Sequence, residues 1–406
     1  MRSGTRAITL RGSFLARLPS RTDSGATMNS ARITLAALAV AWAVSPALAD
    51  ILIGAAAPLS GNNAALGEQL RRGVQAAVDD LNATGGINGE RLKVQFADDG
   101  CDPRKAIDVA TGFVSAGVKA VIGHYCSGAS IPASKVYQKA GILEISPAST
   151  NPRYTEDGGW NVVRLVPRDD AQAAAAAALV LDKFAGRKVA IVSDQAPAFA
   201  ALAAKFAAAL QQKGVTPALQ FTFKAGTKDF STLAQQIADA GAGVVYLTGS
   251  YVEGGLIAQA LRAVGSKAQI VSGDSLVTED YGNQAKDAAE GTLSTFTYDA
   301  RKFPAAQGLV QRLRNANQNP EGFTLYAYAA VQALAAAAEA TGTLDSTRLA
   351  EWLRGGNRFD TVVGPVSFDA KGDLTAPAIA LFRWIDGRYV EVDPKTLQPP
   401  VLDTTP

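Results

Sequence analysis

The chain alternates between strand-like and helix-like stretches, and it does so twice. Residues 51–55 form an apolar run, and the next segment sets Leu66, Leu70, Val74, Ala77, Val78 and Leu81 on one face at a helical period. Gly85-Gly86-Ile87-Asn88-Gly89 supplies the turn chemistry that ends that helix. Residues 91–97 then alternate, with Leu92, Val94 and Phe96 on one side, and 118–123 and 141–145 read as further buried strands, each after a helical stretch. After Pro167-Arg168-Asp169-Asp170 the pattern restarts with an alanine-rich helix to about residue 184. Strands at 188–193, 219–223, 243–247 and 269–272 follow, interleaved with helices at 199–213, 231–240 and 252–264. Strands alternating with helices specify parallel sheets covered on both faces, so the fold class is α/β, and the length suits two such units. The alanine-rich stretches read as ordinary helix packing.

Two loops stand out within this pattern. Gly123-His124-Tyr125-Cys126-Ser127-Gly128 follows one buried strand, and Ser146-Pro147-Ala148-Ser149-Thr150-Asn151-Pro152 follows the next. Both lie at the carboxyl ends of neighbouring parallel strands, where open α/β sheets place their ligand crevice. Backbone N–H groups and hydroxyls suit a carboxylate, and a carbonyl with a hydroxyl suits an ammonium group. Together the loops are fitted to a small zwitterion.

Residues 1–49 stand apart from the working fold. From Met28 the chain reads as a secretory signal: Arg32 is the charged start, 33–44 the apolar core, and Ala47-Leu48-Ala49 the expected cleavage site. The core is too short for a membrane span. Residues 1–27 carry five arginines and read either as upstream of a true start at Met28 or as a longer leader. Cleavage after Ala49 removes six arginines and one aspartate, leaving 33 basic residues against 36 acidic ones, a net charge of −3. That balance gives no reason to expect nucleic acid or an anionic membrane as a partner. Export to an oxidising compartment also settles the two cysteines: Cys101 and Cys126 are expected as a disulfide, closing a loop worth roughly 3–4 kcal/mol in the chain-entropy account. The competing Cys126–His124 dyad is disfavoured, because a bonded sulfur is no nucleophile. Neither cysteine follows the apolar core, so lipid anchoring is not supported.

Several segments resemble the leucine/isoleucine/valine-binding protein family, solute-binding proteins of amino-acid ABC transporters. They are Asn82-Ala83-Thr84-Gly85-Gly86-Ile87-Asn88-Gly89, Asp98-Asp99-Gly100-Cys101-Asp102-Pro103 and Val121-Ile122-Gly123-His124-Tyr125-Cys126-Ser127. The run from Gly141-Ile142-Leu143 to Ser146-Pro147-Ala148-Ser149-Thr150 matches as well, as do Lys228-Asp229-Phe230-Ser231 and Thr361-Val362-Val363-Gly364-Pro365 leading to Phe368-Asp369. They occur in order over nearly all of the expected mature chain. The resemblance implies the type I periplasmic binding protein fold: two Rossmann-like lobes joined by three crossovers, placed near Arg168, Tyr298 and Ala376. Lobe 1 would comprise 50–168 and 298–376, lobe 2 would comprise 169–297 and 377–395, and 396–406 would be a tail. A late segment around 379–384 would return to lobe 2.

The same resemblance assigns the head group of an amino acid to Ser127, Ala148 and Thr150, with Ser149 in the same loop. Ser127 and the Thr150 N–H would meet the carboxylate, and the Ala148 carbonyl and Thr150 hydroxyl the ammonium group. The family's lobe-2 glutamate falls at Asp274, which keeps the charge on a shorter arm. A buried ammonium group needs such a carboxylate. The side-chain pocket departs from the pattern. Tyrosines of the family fall at Leu66, at Ser250 beside Tyr251, and at Ala198 beside Phe199. Either the neighbouring aromatics substitute or the pocket is enlarged, which opens it to larger aliphatic or aromatic amino acids, or to a carboxylate without an ammonium group. Phe323 and Tyr326 read as core or as a further wall. No cofactor or metal is expected. Partners are a small-molecule amino acid and a membrane permease, and the chain is expected to be monomeric. An enzyme is disfavoured: with one histidine and no nucleophile elbow, HExxH, phosphate loop or metal-spaced cluster, little acid–base machinery is present. A ligand-sensing regulatory module on the same fold is the remaining alternative.

Overall fold

A computed structural model describes residues 50–400. The expected leader at 1–49 and the last six residues of the expected tail lie outside that range. The first half runs β1 (Ile51–Ala57), α1 (Ala64–Ala83), β2 (Leu92–Asp98), α2 (Pro103–Ala116), β3 (Ala120–Gly123), α3 (Ser127–Ala140), β4 (Leu143–Ser146), α4 (Arg153–Glu156) and β5 (Val162–Arg164). The second runs α5 (Asp169–Lys183), β6 (Lys188–Asp194), α6 (Pro197–Gln211), β7 (Leu219–Phe223), α7 (Ser231–Asp239), β8 (Ala242–Thr248), α8 (Tyr251–Ala263), β9 (Gln269–Ser272), α9 (Glu279–Ala285) and β10 (Leu293–Phe296). The remainder is α10 (Gln307–Asn315), α11 (Thr324–Thr341), α12 (Ser346–Arg354), β11 (Phe359–Thr361), β12 (Gly364–Val366), β13 (Ala380–Ile385) and β14 (Arg388–Val392). Among the described residues no helix is long and apolar enough to cross a membrane.

Two sheets carry the fold. The first has the order β2-β1-β3-β4-β5 and is parallel throughout. The second has the order β14-β13-β10-β9-β8-β6-β7. Its five parallel strands repeat the order of the first sheet, so each sheet reverses direction once, at β1/β3 and at β6/β8, and that reversal opens a crevice beyond the carboxyl ends of the strands. The second sheet also departs from the all-parallel expectation: β13 pairs antiparallel with β10, and β14 with β13. The hairpin is made by Asp386-Gly387, both at positive φ, between the paired residues Ile385 and Arg388. An Asp-Gly pair is suited to a two-residue turn of this hand.

The chain passes between the sheets three times: after β5, after β10, and between β12 and β13. α11 belongs with the first sheet, where it packs along α1 and reaches β3 and β4. It is buried from Thr324 to Ala338 almost without interruption, and its alanines allow that close seat. Gly73 of α1 is required there, because a Cβ would run into the Thr324 carbonyl. At the second passage a string of aromatic rings joins the sheets: Tyr125 lies edge-on to Phe323 at 5.2 Å, Phe323 to Phe296 of β10 at 4.9 Å, and Phe296 to Phe382 of β13 at 5.9 Å. Phe323 and Tyr326 are buried in this core. Leu397 packs against the second core, and its carbonyl accepts from Arg383.

Candidate ligand-binding site

The two loops singled out from sequence sit side by side at the ends of β3 and β4. Helix α3 begins at Ser127, and the N–H groups of Ala129 and Ser130 donate to the Cys126 carbonyl. The N–H groups of Ser127 and Gly128 come too early in the helix to have an intrahelical acceptor, which makes this helix start suited to an anion. The Ser127 hydroxyl accepts from the Asn151 N–H at 3.1 Å and so ties one loop to the other. Ser149 is fully buried. Its hydroxyl lies 2.6 Å from that of Ser130 and donates to the carbonyls of His124 and Tyr125. That places Ser149 as a brace between the loops. Ala148 is buried and Thr150 partly exposed.

Both loops are held from behind. The Cys101–Cys126 disulfide fixes the end of the β3 loop to the turn before α2, where the Asp102 carboxylate caps the helix by accepting from Arg104 and Lys105 N–H. The buried His124 ring lies 2.7 Å from the Asp99 carboxylate and 2.9 Å from the Tyr137 hydroxyl. It is structural, and no Cys126–His124 dyad exists because the sulfur is bonded. Under the second loop lies Arg164, fully buried at the end of β5. It donates to Asp373 at 2.6 Å, to the Ser149 and Asn151 carbonyls at 2.9 and 2.8 Å, and to the Thr155 hydroxyl at 2.5 Å. Sequence reading missed this residue, since an arginine in a three-residue strand gives no periodic signal.

The second sheet contributes from the ends of β6, β8 and β9. Asp274 follows β9. Removal from water raises its pKa to about 6, against the opposing pull of hydrogen bonds from its own N–H, from Gln172 and from the Ser275 N–H. Asp169, the first residue of α5, is buried, and its N–H donates to the Thr150 carbonyl at 2.9 Å. Burial, followed by the negative charge of Asp274, raises its pKa to about 7, while the Thr150 side chain and Arg164 oppose the shift. Thr150 and Asp169 therefore form one polar patch, which the charge of Asp274 reaches. Tyr125 faces it too: burial first, then the charges of Asp274 and Glu321, push its hydroxyl pKa up. Asp169, Gln172 and Tyr125 were not singled out as ligand contacts from sequence; Asp169 reads there as an ordinary helix start.

The pocket positions are spread more widely. Leu66 lies in the first turn of α1, half-buried against the first core. Ser250 is the N-cap of α8: its hydroxyl accepts from the Val252 N–H at 3.2 Å and donates to Glu253. Tyr251 begins α8, partly exposed. Ala198 and Phe199 stand in the first turn of α6, partly exposed, and the Phe199 carbonyl accepts from the Thr248 hydroxyl at 3.0 Å. Helix α6 touches α3, so a helix of one sheet meets a helix of the other.

The profile of the periplasmic binding protein family matches residues 50–388. The chain belongs to that family. A Leu/Ile/Val-binding protein homolog of Brucella melitensis is 43% identical over 346 residues, 84% of this chain and 93% of the relative. The branched-chain amino acid transporter substrate-binding protein LivJ of Streptococcus pneumoniae, solved in complex with isoleucine, is 27% identical, with a TM-score of 0.77, over 85% of this chain and all of that one. A solute-binding protein of an ABC transporter from R. palustris, solved with benzoate, has the same TM-score of 0.77 at 21% identity, over 85% of this chain and 96% of that one; a likeness of that degree shows the fold alone. This periplasmic binding protein has its relatives among substrate-binding proteins of transporters, not among enzymes, and it shares their two-sheet α/β architecture.

Proposed function

We propose that this chain is the periplasmic substrate-binding protein of an ABC importer. It binds a small hydrophobic amino acid between two lobes, 50–168 with 298–376 and 169–297 with 377–395, and delivers it to a membrane permease. The observation that carries the reading is the pairing of opposite chemistries on the two sides of Thr150. The open helix start at Ser127 suits a carboxylate, and the Asp274 carboxylate on the other sheet suits an ammonium group. The identity to Leu/Ile/Val-binding relatives supports the same ligand class. Head-group donors on one lobe and the acid on the other act together only when the lobes meet, so the ligand favours the closed arrangement and drives the population towards it. That closed form is what the permease recognises in this reading. Export through a leader cleaved after Ala49 belongs to the same proposal.

A second reading is favoured by one observation: Leu66, Ser250 and Ala198 stand where tyrosines are expected, so the pocket is not that of the branched-chain pattern. An aromatic or aliphatic carboxylate would then be the ligand. Thermal-shift screening of the twenty amino acids and benzoate separates the two, with about 2.7 kcal/mol of stabilisation expected at 100 times Kd. Stabilisation by benzoate and by no amino acid overturns the first reading. Calorimetry of Asp274→Ala sharpens it: loss of several kcal/mol of amino-acid affinity is expected, since one partner of a buried charge pair is removed.

A further inference from the structure

We infer that Glu321 latches the closed arrangement, reaching from the first-sheet side to hold the far end of the loop that carries Asp274. It is a positioning residue, and this rests on the two-lobe reading above. Glu321 lies between α10 and α11, and its backbone is moored on the first-sheet side. Its carbonyl accepts from the Thr324 N–H at the start of α11 at 3.0 Å, and the Phe323 N–H donates to the Gln69 side chain of α1 at 3.0 Å. Gly322, between them, is at positive φ and lies against the Gln69 amide, where a Cβ would collide. The chain on either side of Glu321 therefore moves with α1 and α11.

The side chain goes the other way. Glu321 is buried, and among the described residues every hydrogen bond to its carboxylate comes from the second-sheet side. It accepts from the Glu279 N–H at 2.8 Å, from the Thr278 hydroxyl at 3.3 Å and from the Tyr389 hydroxyl of β14 at 3.4 Å. Among the described residues no cation pairs with it. Arg301, which its charge reaches, is held by both oxygens of Asp299 and stacked over the Tyr389 ring. The three donors are thus what offsets the removal of this carboxylate from water. When the two sides part, water takes their place, so the bonds favour the joined arrangement without welding it. Thr278 ends the loop that Asp274 begins. The Val277 N–H donates to the Asp274 carbonyl at 2.9 Å, which makes 274–277 a single turn, and the Trp384 indole N–H donates to the Leu276 carbonyl at 3.3 Å. A hold on Thr278 is therefore a hold on Asp274. Helices α3 and α6, from opposite sheets, touch in this structure, so the latch is seen engaged with the two sides together.

The test is stopped-flow tryptophan fluorescence, with whichever of L-leucine, L-phenylalanine and benzoate binds the wild type most tightly, beside urea denaturation of the ligand-free protein. Ligand leaves from the open form, so losing the latch raises the dissociation rate and leaves association near its wild-type value. Glu321→Ala should raise the dissociation rate about tenfold, the scale of hydrogen bonds to one charged group. Glu321→Gln, which can still accept from the Glu279 N–H, should raise it about threefold, and Tyr389→Phe, which removes the longest of the three bonds, less than about twofold. A Glu321→Ala protein that loses ligand-free stability but keeps the wild-type dissociation rate overturns the inference, because a merely structural contact would behave that way. If that variant does not fold, an unchanged dissociation rate in Glu321→Gln overturns it instead. Small-angle scattering of the wild type with and without the same ligand separates the two claims. Contraction on binding together with an unchanged rate in the variants removes the latch alone; no contraction removes the closure reading and the latch with it.

Discussion

The loops of the first sheet and those of the second, which the proposed function brings to one ligand, are built differently. The β3 and β4 loops are over-determined: a disulfide, the Asp99–His124–Tyr137 line, the Ser130–Ser149 brace and the four-way Arg164 clamp all fix the same dozen residues. The β8 and β9 loops have no disulfide or buried ion pair among the described residues and are tied by single hydroxyl bonds at Thr248, Ser250 and Ser275. In the proposed reading the rigid side meets the groups that every amino acid shares, and the lightly held side adapts to what differs among ligands. The difference teaches where substitutions will be felt as stability and where as affinity.

The largest effect expected is at Arg164. Arg164→Leu leaves two buried carbonyls unpaired and Asp373 with only Arg168 and Thr155, and should cost about 3–5 kcal/mol in urea denaturation. A cost under 1 kcal/mol would mean that the clamp does not hold the first side. Next comes the cross-link. Replacing both Cys101 and Cys126 by serine should cost roughly 3 kcal/mol for a closure spanning 25 residues, with little change in ligand preference. Changed preference would break the division between the two sides. Third come the two buried acids, Asp169 and Asp274. Folded pKa values raised above those of the unfolded chain mean that the native state binds more protons, so the ligand-free protein should lose about 2–4 kcal/mol of stability as pH rises from 4 to 7. Thermal denaturation across that range checks it, and saturating amino acid should reduce the loss. Smallest is Ser250→Ala, which removes a cap and should cost about 1 kcal/mol of stability while changing amino-acid affinity less than Asp274→Ala does.

The same contrast governs what the sequence made legible. The first-sheet loops could be read because an apolar run ending in glycine and serines is a local signal. Asp169 could not, because Asp274, whose charge reaches it, is over a hundred residues away and only the fold brings that charge near. Arg164 was silent for the same reason: its partner Asp373 is supplied by the last passage of the chain. The β13–β14 hairpin was legible in principle from Asp386-Gly387, but its place beside β10 depends on a strand returning late, which no local pattern marks.

That late return has a kinetic side. The face of α1 is covered by α11, with Gln69 accepting from the Phe323 N–H and Asn88 donating to the Ala338 carbonyl across 254 and 250 residues. The five parallel strands of the second sheet, by contrast, come from one uninterrupted stretch, β6 to β10. Contacts between distant parts of a chain form slowly, because a long loop must close before they gain anything. A growing chain therefore cannot finish its first unit until residue 341 is available, although that unit begins it. Pulsed hydrogen exchange during refolding should find the amides of β6 and β8 protected before those of β1 and β3, so the half that is synthesised first is the half that matures last.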